Sequence, residues 1–162
     1  MDEQNNYYFL EMNTRLQVEH PITEAITGVD LVEQQIRIAQ GEHLTIKQED
    51  VKCEGHAIEL RVYAEDPRQG FIPSIGHLEI YQPPSDSEVR VDDGYREGMD
   101  VPIYYDPMLS KLITYKDTRQ EAISAMKKAI QEYRVEGVET TLSFGTYAVS
   151  YTHLTLPTIL LV

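Results

Sequence analysis

The stretch "GHAIELRVYAED" (residues 55–66) decides the fold of the second half of the chain. Apolar and polar residues alternate through it, which is typical of a β-strand with one buried face. The positions expected to face a core are Ile58, Leu60, Val62 and Ala64. The positions on the opposite face are Glu59, Arg61 and Tyr63. We therefore predict a strand that carries a charged row on its outer side.

Two further segments downstream have the same alternation, "GHLEIYQ" (76–82) and "SEVRVDDGY" (87–95), and "KLITY" (111–115) is another predicted short strand. They are followed by a predicted helix over residues 118–137, which opens with a capping box formed by Thr118 and Glu121 and closes at Gly137. Its predicted buried stripe consists of Ala122, Met126, Ala129, Ile130 and Tyr133. These patterns together predict an α+β fold with a mainly antiparallel sheet and packed helices.

Upstream, "YYFLEMN" (7–13) reads as a strand, and residues 20–41 read as helical. Gly28 should interrupt the helix, and Asp30 should cap its second part. An apolar stripe of that segment contains Val29, Val32, Ile36 and Ala39. The polar connector at 43–54 is the predicted domain boundary, which gives two units, residues 1–44 and 54–149.

Composition excludes several functions. The 162 residues include 27 Asp and Glu but 14 Lys and Arg, a net charge of −13, which argues against binding to nucleic acid or to an anionic membrane surface. One cysteine, Cys53, permits no intrachain disulfide and fits a reducing compartment. The first residues resemble no signal peptide and no segment resembles a membrane span, so we predict a cytoplasmic protein.

The segment "FLEMNTRLQVEH" (9–20) carries a row of chemically capable side chains: Glu11, Asn13, Arg15, Gln17 and Glu19. On a straight strand this row would extend roughly 26 Å, too far for one small-molecule site, so a bend after Asn13 is expected. Glu-x-Asn supplies hard oxygen ligands suited to Mg²⁺, and an arginine beside it suits a small anion. A solvated strand face and a phosphoryl-transfer site both fit these residues.

"EMNTRLQVEHPITE" and "GVDLVEQQIRIAQGE" closely resemble the biotin carboxylase family of ATP-grasp enzymes. "GHAIELRVYAEDP", "FIPSIGHLEIY" and "YYDPMLSKLITY" resemble successive parts of that family's C-terminal domain. The resemblance runs in order from Tyr7 to Val149. It implies the C-terminal end of an ATP-grasp domain over residues 1–44, followed by the biotin carboxylase C-terminal domain over 54–149.

The resemblance also implies roles for individual residues. Glu11 and Asn13 match ligands of Mg²⁺ (or Mn²⁺), and Glu19 matches the general base that deprotonates bicarbonate. Bicarbonate would be bound by Arg15, Gln17 and Val18. Arg61 matches the arginine that stabilises the ureido oxygen of biotin. From the residues alone, Arg61 reads more simply as the ion-pair partner of Glu59.

Two more residues acquire candidate roles from the family. Asp106 lies in a segment near the family's biotin pocket, and Arg90 matches a stretch used in its dimer contact, with a surface ion pair as the alternative. The implied substrates and cofactors are ATP, Mg²⁺, bicarbonate and biotin on a carrier. The implied partners are a biotin carboxyl carrier protein or domain, a carboxyltransferase subunit and a second copy of the full-length subunit.

The sequence contains no Gly-x-Gly phosphate loop, and family resemblance fades after "TTLSFGTYAV". We therefore expect a fragment of a longer enzyme, inactive by itself, with a non-native tail over residues 150–162 that resembles adapter read-through. Two alternatives stay open: a noncatalytic interaction or dimerisation module made of the C-terminal domain, and a fragment of another ATP-grasp ligase such as a carbamoyl-phosphate synthetase. The acyl acceptor of the parent enzyme is not encoded in these residues.

Overall fold

The computed structural model describes residues 3–151, and the predicted tail therefore lies almost entirely outside the described residues. The helices are α1 (His20–Thr27), α2 (Leu31–Ala39), α3 (Arg119–Glu132) and α4 (Leu142–Ser150). The strands are β1 (His56–Tyr63), β2 (Glu65–Asp66), β3 (Ile72–Pro73), β4 (Gly76–His77), β5 (Ile80–Gln82), β6 (Val89–Asp93), β7 (Asp100–Val101), β8 (Met108–Lys116) and β9 (Arg134–Glu136). Short 3₁₀ turns occur at Gln48–Asp50 and Pro67–Gln69. The α+β prediction is confirmed.

The main sheet has the order β1-β8-β6, and both pairings are antiparallel. Leu60 lies opposite Leu112, and Leu112 lies opposite Val91, so apolar side chains from the three strands form one row. Three smaller antiparallel pairs, β2-β3, β4-β7 and β5-β9, extend the domain around this sheet. The alternation therefore forms β1 over His56–Tyr63, in which Val62 faces the core, and the chain continues into the separate strand β2.

The hydrophobic core lies between the main sheet and α3. Val62, Leu109 and Leu112 have no exposed surface on the sheet side, nor does Met126 on the helix. Every residue of the predicted helix stripe is buried: Ala122, Met126, Ala129, Ile130 and Tyr133. The predicted capping box is also present, since Thr118 and Glu121 exchange side-chain and backbone hydrogen bonds. Burial of this stripe fixes α3 against one face of the sheet.

The predicted end of α3 at Gly137 is wrong. The helix ends at Glu132, and β9 follows at once, with Val135 opposite Tyr81 of β5. Backbone pairing with β5 therefore overrides the helical pattern in this segment. Gly137 has φ +100° and lies against the backbone of His77, a conformation and a clearance that favour glycine.

The predicted strand over residues 7–13 is also absent. The segment has no regular secondary structure, and Tyr7, Phe9 and Leu10 are among the most exposed apolar side chains. A strand needs a neighbouring strand for its backbone hydrogen bonds, and within residues 3–151 no strand pairs with this segment. The strong strand pattern over residues 7–13 therefore forms no strand in the described part of the chain.

The predicted helix break at Gly28 is confirmed. Gly28 has φ +70° and ends α1, and Asp30 Oδ1 accepts a hydrogen bond from Glu33 N at 2.8 Å to cap α2. The apolar stripe of α2 stays accessible, with Val32 39% and Ile36 54% exposed. α1 packs on β1 and β8, across the sheet face that carries Glu59 and Arg61. This packing brings the N-terminal segment to the outer face of the sheet.

Candidate functional site

The backbone turns sharply after Met12. Thr14 N donates to Met12 O at 3.0 Å, and Arg15 N donates to Asn13 O at 2.9 Å, so two tight turns follow one another. The polar row therefore does not lie along one straight strand, and the predicted bend is confirmed. The turns place Glu11 before the bend and Glu19 after it, at the start of α1.

Glu11 and Asn13 both have exposed side chains on the segment before the bend. A carboxylate and a carboxamide two residues apart are hard oxygen donors, so the pair fits Mg²⁺ or Mn²⁺ chemically. Among residues 3–151, no group of three or more His, Cys, Asp or Glu side chains is placed to hold a metal. A metal bound by Glu11 and Asn13 would therefore need further ligands, and their role as metal ligands stays a prediction.

The predicted bicarbonate ligands follow the bend. Arg15 Nη1 donates to Leu16 O at 3.3 Å, and Gln17 Nε2 donates to Arg15 O at 3.3 Å and to Asn13 O at 3.4 Å. Arg15 and Gln17 are exposed, and Val18 is half-buried. Each of the two side chains therefore folds back onto the backbone of its own loop.

Glu19 and Arg61 meet across the two halves of the chain. Glu19 occupies the N-cap position of α1, but its carboxylate makes no capping hydrogen bond. Instead, Arg61 Nη2 on β1 donates to Glu19 Oε2 at 2.9 Å. The side chains are 39% and 59% exposed for Arg61 and Glu19, so the pair lies at the rim of the sheet and is open to a small molecule.

Arg61 has other polar neighbours on its own strand. Its Nε lies 3.5 Å from Glu59 Oε1, and the hydroxyl of Tyr63 is nearby. Tyr63, and after it the charges of Glu59 and Glu19, raise the pKa of Arg61 above its usual value, although burial opposes them. Arg61 therefore stays a cation, and carboxylates lie beside two of its guanidinium nitrogens. Arg61 is therefore paired with Glu59 and with Glu19 at the same time.

Glu59 is the residue whose environment the sequence did not reveal. Strand alternation puts it on the outer face, yet its side chain is only 6% exposed. Burial raises the pKa of Glu59, while Lys111 and Arg61 act in the opposite direction. The available signal was its i, i+2 spacing to Arg61, which predicts a shared face but not burial.

Arg90 is engaged within the chain. Its Nη1 donates to Glu24 Oε2 at 2.7 Å, and its Nε donates to Asp92 Oδ1 at 2.8 Å. Glu24 lies on α1 and is 8% exposed, and its other oxygen accepts a hydrogen bond from Leu31 N at 2.9 Å. Arg90 thus ties α1 to β6. A dimer contact through Arg90 remains a prediction.

Asp106 precedes β8 and shapes the turn that leads into it. Its Oδ1 accepts a hydrogen bond from Met108 N at 2.9 Å, the pattern of an Asx turn. Met108 lies opposite Tyr63 on β1, so Asp106 lies near the end of β1 that follows Arg61. Its two preceding neighbours, Tyr104 and Tyr105, are 86% and 77% exposed. Exposed aromatic side chains and a carboxylate therefore precede β8, at the end of β1 that follows Arg61.

None of the helices within residues 3–151 is long and apolar enough to cross a membrane.

Two family profiles match the chain: the biotin carboxylase C-terminal domain over residues 59–155, and the ATP-binding domain of the carbamoyl-phosphate synthase L chain over residues 1–47. The first covers more than half of the chain, and the second corresponds to the segment that carries the polar row.

Relatives agree with the first profile. Biotin carboxylase 1 of Bacillus subtilis is 52% identical over 141 residues, which are 87% of this chain and 31% of the relative. The propionyl-CoA carboxylase alpha chain of Ruegeria pomeroyi is 52% identical over 164 residues, with 89% of this chain and 24% of the relative covered. The chain therefore spans at most about a third of these relatives.

A solved structure has the same fold. The biotin carboxylase domain dimer of Hydrogenobacter thermophilus 2-oxoglutarate carboxylase, in complex with MgADP, ADP and bicarbonate, is 44% identical with a TM-score of 0.87. The similarity covers 94% of this chain and 34% of that one. Taken with the profile over residues 59–155, these matches favour a biotin-dependent carboxylase over a carbamoyl-phosphate synthetase. The chain belongs to the biotin carboxylase family.

Proposed function

We propose that the chain is part of an enzyme that carboxylates carrier-bound biotin with ATP and bicarbonate, through carboxyphosphate. The observation that carries this proposal is the ion pair between Glu19 and Arg61. It joins the segment with the metal and anion ligands to the C-terminal domain, so that a base and a fixed cation face one rim. A carboxylate at this place suits proton abstraction, and a guanidinium beside it suits stabilisation of an oxyanion in a later step.

Glu11 and Asn13 would hold Mg²⁺ or Mn²⁺ together with a further ligand from the rest of the enzyme. When bound, the ion would offset charge on the ATP phosphates. Arg15 would hold bicarbonate by its planar fork, and Gln17 with the backbone of Val18 would complete the anion site. The proximity of Arg15 and Gln17 in one loop supports this assignment.

Glu19 would take the proton of bicarbonate. The bicarbonate oxygen then attacks the γ-phosphorus of ATP, and ADP leaves. The resulting carboxyphosphate breaks down to carbon dioxide and phosphate. The released phosphate takes the ureido N–H proton of biotin, and Arg61 stabilises the negative charge that develops on the ureido oxygen as the nitrogen attacks carbon dioxide. A protonated Glu19 attracts Arg61 less, which would free Nη2 for this oxygen.

The wider assignments are proposals of the same kind. Asp106 would border the biotin pocket and Arg90 would contribute to a homodimer of the full-length subunit. A biotin carrier and a carboxyltransferase would be the other partners. The boundaries at residues 44 and 54, and a non-native tail from residue 150, complete the proposed organisation. The single cysteine supports a reducing compartment such as the cytoplasm.

We propose that the 162-residue chain alone does not turn over ATP. Its sequence has no Gly-x-Gly loop, and among its described residues no group of three or more His, Cys, Asp or Glu side chains is placed to hold a metal. A chimera tests the function directly: residues 7–149 replace the matching segment of the Bacillus subtilis biotin carboxylase. Biotin-dependent ATP cleavage and carboxybiotin formation by this chimera are the expected results. A folded chimera that cleaves ATP but carboxylates no biotin would contradict the proposal.

A further inference from the structure

Glu59 is a buried carboxylate that the proposed mechanism does not use. It lies two residues before Arg61 on β1, and its Oε1 is 3.5 Å from the Nε of Arg61. Its Oε2 is buried and has no hydrogen-bond donor among the described residues. Burying a carboxylate costs free energy unless a cation compensates it. The position of Glu59 therefore depends on the cations beside it.

Two cations lie near Glu59, and they have different primary partners. Lys111 lies opposite Arg61 on β8, and its Nζ is 3.2 Å from Asp92 Oδ2. Arg61 is the cation that the Glu59 carboxylate contacts within 4 Å. Glu59 and Arg61 therefore form the closer pair, while Lys111 contributes its charge at longer range.

The two carboxylates contact different nitrogens of one guanidinium group. Glu19 accepts from Nη2, and Glu59 lies beside Nε. Because the guanidinium is planar and rigid, a partner at Nε fixes the direction in which both terminal nitrogens point. The Glu59 side chain is also far more buried than that of Glu19, 6% against 59% exposed, so it is the more rigid of the two anchors.

We propose that Glu59 is a positioning residue that holds Arg61 by its Nε, so that Nη2 stays directed at the site of Glu19 and the ureido oxygen. This inference rests on the proposed function. Glu59 is needed because Glu19 becomes protonated in the first step, and a neutral carboxyl group no longer holds the Arg61 cation strongly. Glu59 then keeps Arg61 in place during the step in which Nη2 must bind the developing oxyanion.

The test uses the chimera with Glu59→Gln and Glu59→Leu. Glutamine keeps an oxygen that can accept from Nε, whereas leucine has a similar size and no acceptor. We expect Glu59→Leu to lower kcat for biotin carboxylation by about 10–100-fold, the range for a misplaced catalytic group, and Glu59→Gln to lose less. The KM for ATP and the biotin-independent ATP cleavage should stay at the parental values.

A double-mutant cycle shows whether Glu59 acts through Arg61. In an Arg61→Ala background, Glu59→Leu should cause no further loss of biotin carboxylation, because the group that it positions is gone. The matched control is Glu136→Gln, which removes a carboxylate that pairs with Arg134, two positions away on β9, and that forms no ion pair with Arg61 or Lys111. It should leave the rate of biotin carboxylation within about twofold of the parent.

Several results would overturn the inference. These are a parental rate in both Glu59 variants, an equal loss in the presence and absence of Arg61, or a parallel loss of ATP cleavage. If Glu59→Leu does not fold, as judged by its melting curve, Glu59→Gln and its cycle with Arg61→Ala decide the question alone. A chimera that never carboxylates biotin would instead refute the proposed function on which the inference rests.

Discussion

Arg61 Nη2 lies 2.9 Å from Glu19 Oε2, although 42 residues separate them in the sequence. The contact exists because α1 packs on β1, which sets the N-terminus of the helix beside the outer face of the strand. Glu19 lies at the N-cap of α1 but makes no capping hydrogen bond there, so its carboxylate pairs with Arg61 instead. A carboxylate and a cation are thereby held together at the sheet rim.

The first prediction concerns Glu19→Gln in the chimera. The amide cannot accept the bicarbonate proton, so kcat for carboxylation should fall by about 10²–10⁴. The affinity for ATP, measured by titration calorimetry with MgATP, should change little. The matched control is Glu33→Gln, which breaks a similarly exposed ion pair with Arg37 on α2. A collapse of ATP affinity with turnover preserved would make Glu19 a metal ligand and not a base.

Arg61→Ala is expected to separate the two half-reactions. The guanidinium would act mainly on charge that appears in the transition state, so kcat for biotin carboxylation should fall by about 10²–10³. ATP cleavage without biotin should survive better. Arg134→Ala, which removes an exposed arginine paired with Glu136 on β9, serves as the control. Normal carboxylation by the Arg61 variant would exclude an oxyanion role.

Glu11→Gln tests the metal assignment. Loss of one anionic oxygen ligand weakens binding of a hard divalent cation, so the Mg²⁺ concentration needed for half-maximal activity should rise by about tenfold. Saturating Mg²⁺ should restore much of the rate. Magnesium titrations of the chimera measure this shift directly, with Glu42→Gln as an exposed acidic control. An unchanged Mg²⁺ requirement would remove Glu11 from the metal site.

Arg90→Ala should destabilise the fold. Arg90 is the cation that pairs with the buried carboxylate of Glu24, and an unpaired buried group costs about 1–3 kcal/mol of unfolding free energy. Chemical denaturation of the 162-residue chain measures the loss. Glu24→Gln should cost less, because its amide can still accept from Leu31 N.

Sedimentation of the chimera then tests the dimer contact: a dimer that survives Arg90→Ala would limit this residue to its role within the chain.

Local patterns predicted much of this fold because they report local physics. The capping box at Thr118 and the left-handed break at Gly28 depend on residues a few positions apart, and both are present. The end of α3 was mispredicted because β9 exists only through its pairing with β5, more than fifty positions upstream. The strand pattern over residues 7–13 failed for the same reason, since a strand is completed by its neighbour.

In the candidate site, too, the features set by nearby residues were predictable and those set by long-range packing were not. Spacing alone indicated a bend after Asn13 and a shared face for Glu59 and Arg61, and both features are present. No periodicity could predict that α1 would cover Glu59 or place Glu19 against Arg61, because both depend on how the two halves of the chain pack. Only the family resemblance predicted that Glu19 and Arg61 would lie in one site.

The last prediction links stability to pH at Glu59. Burial raises its pKa in the folded chain, against the opposing charges of Arg61 and Lys111 and with a small contribution from Glu19. The folded state therefore binds the proton more tightly than the unfolded state, so this group lowers stability as pH rises from about 4 through its raised pKa. Glutamine mimics the protonated form and lacks this dependence.

Glu59→Gln should consequently unfold at higher denaturant concentration than the parent at pH 7, and the difference should vanish near pH 4, where the parental carboxyl is protonated. Denaturation of the 162-residue chain at several pH values measures the difference. The same substitution lowers biotin carboxylation if Glu59 positions Arg61, so stability and activity should move in opposite directions, as is common for groups retained for function. A glutamine variant that is less stable at pH 7 would show that the Arg61 contact outweighs the burial of Glu59, and the carboxylate would then be structural.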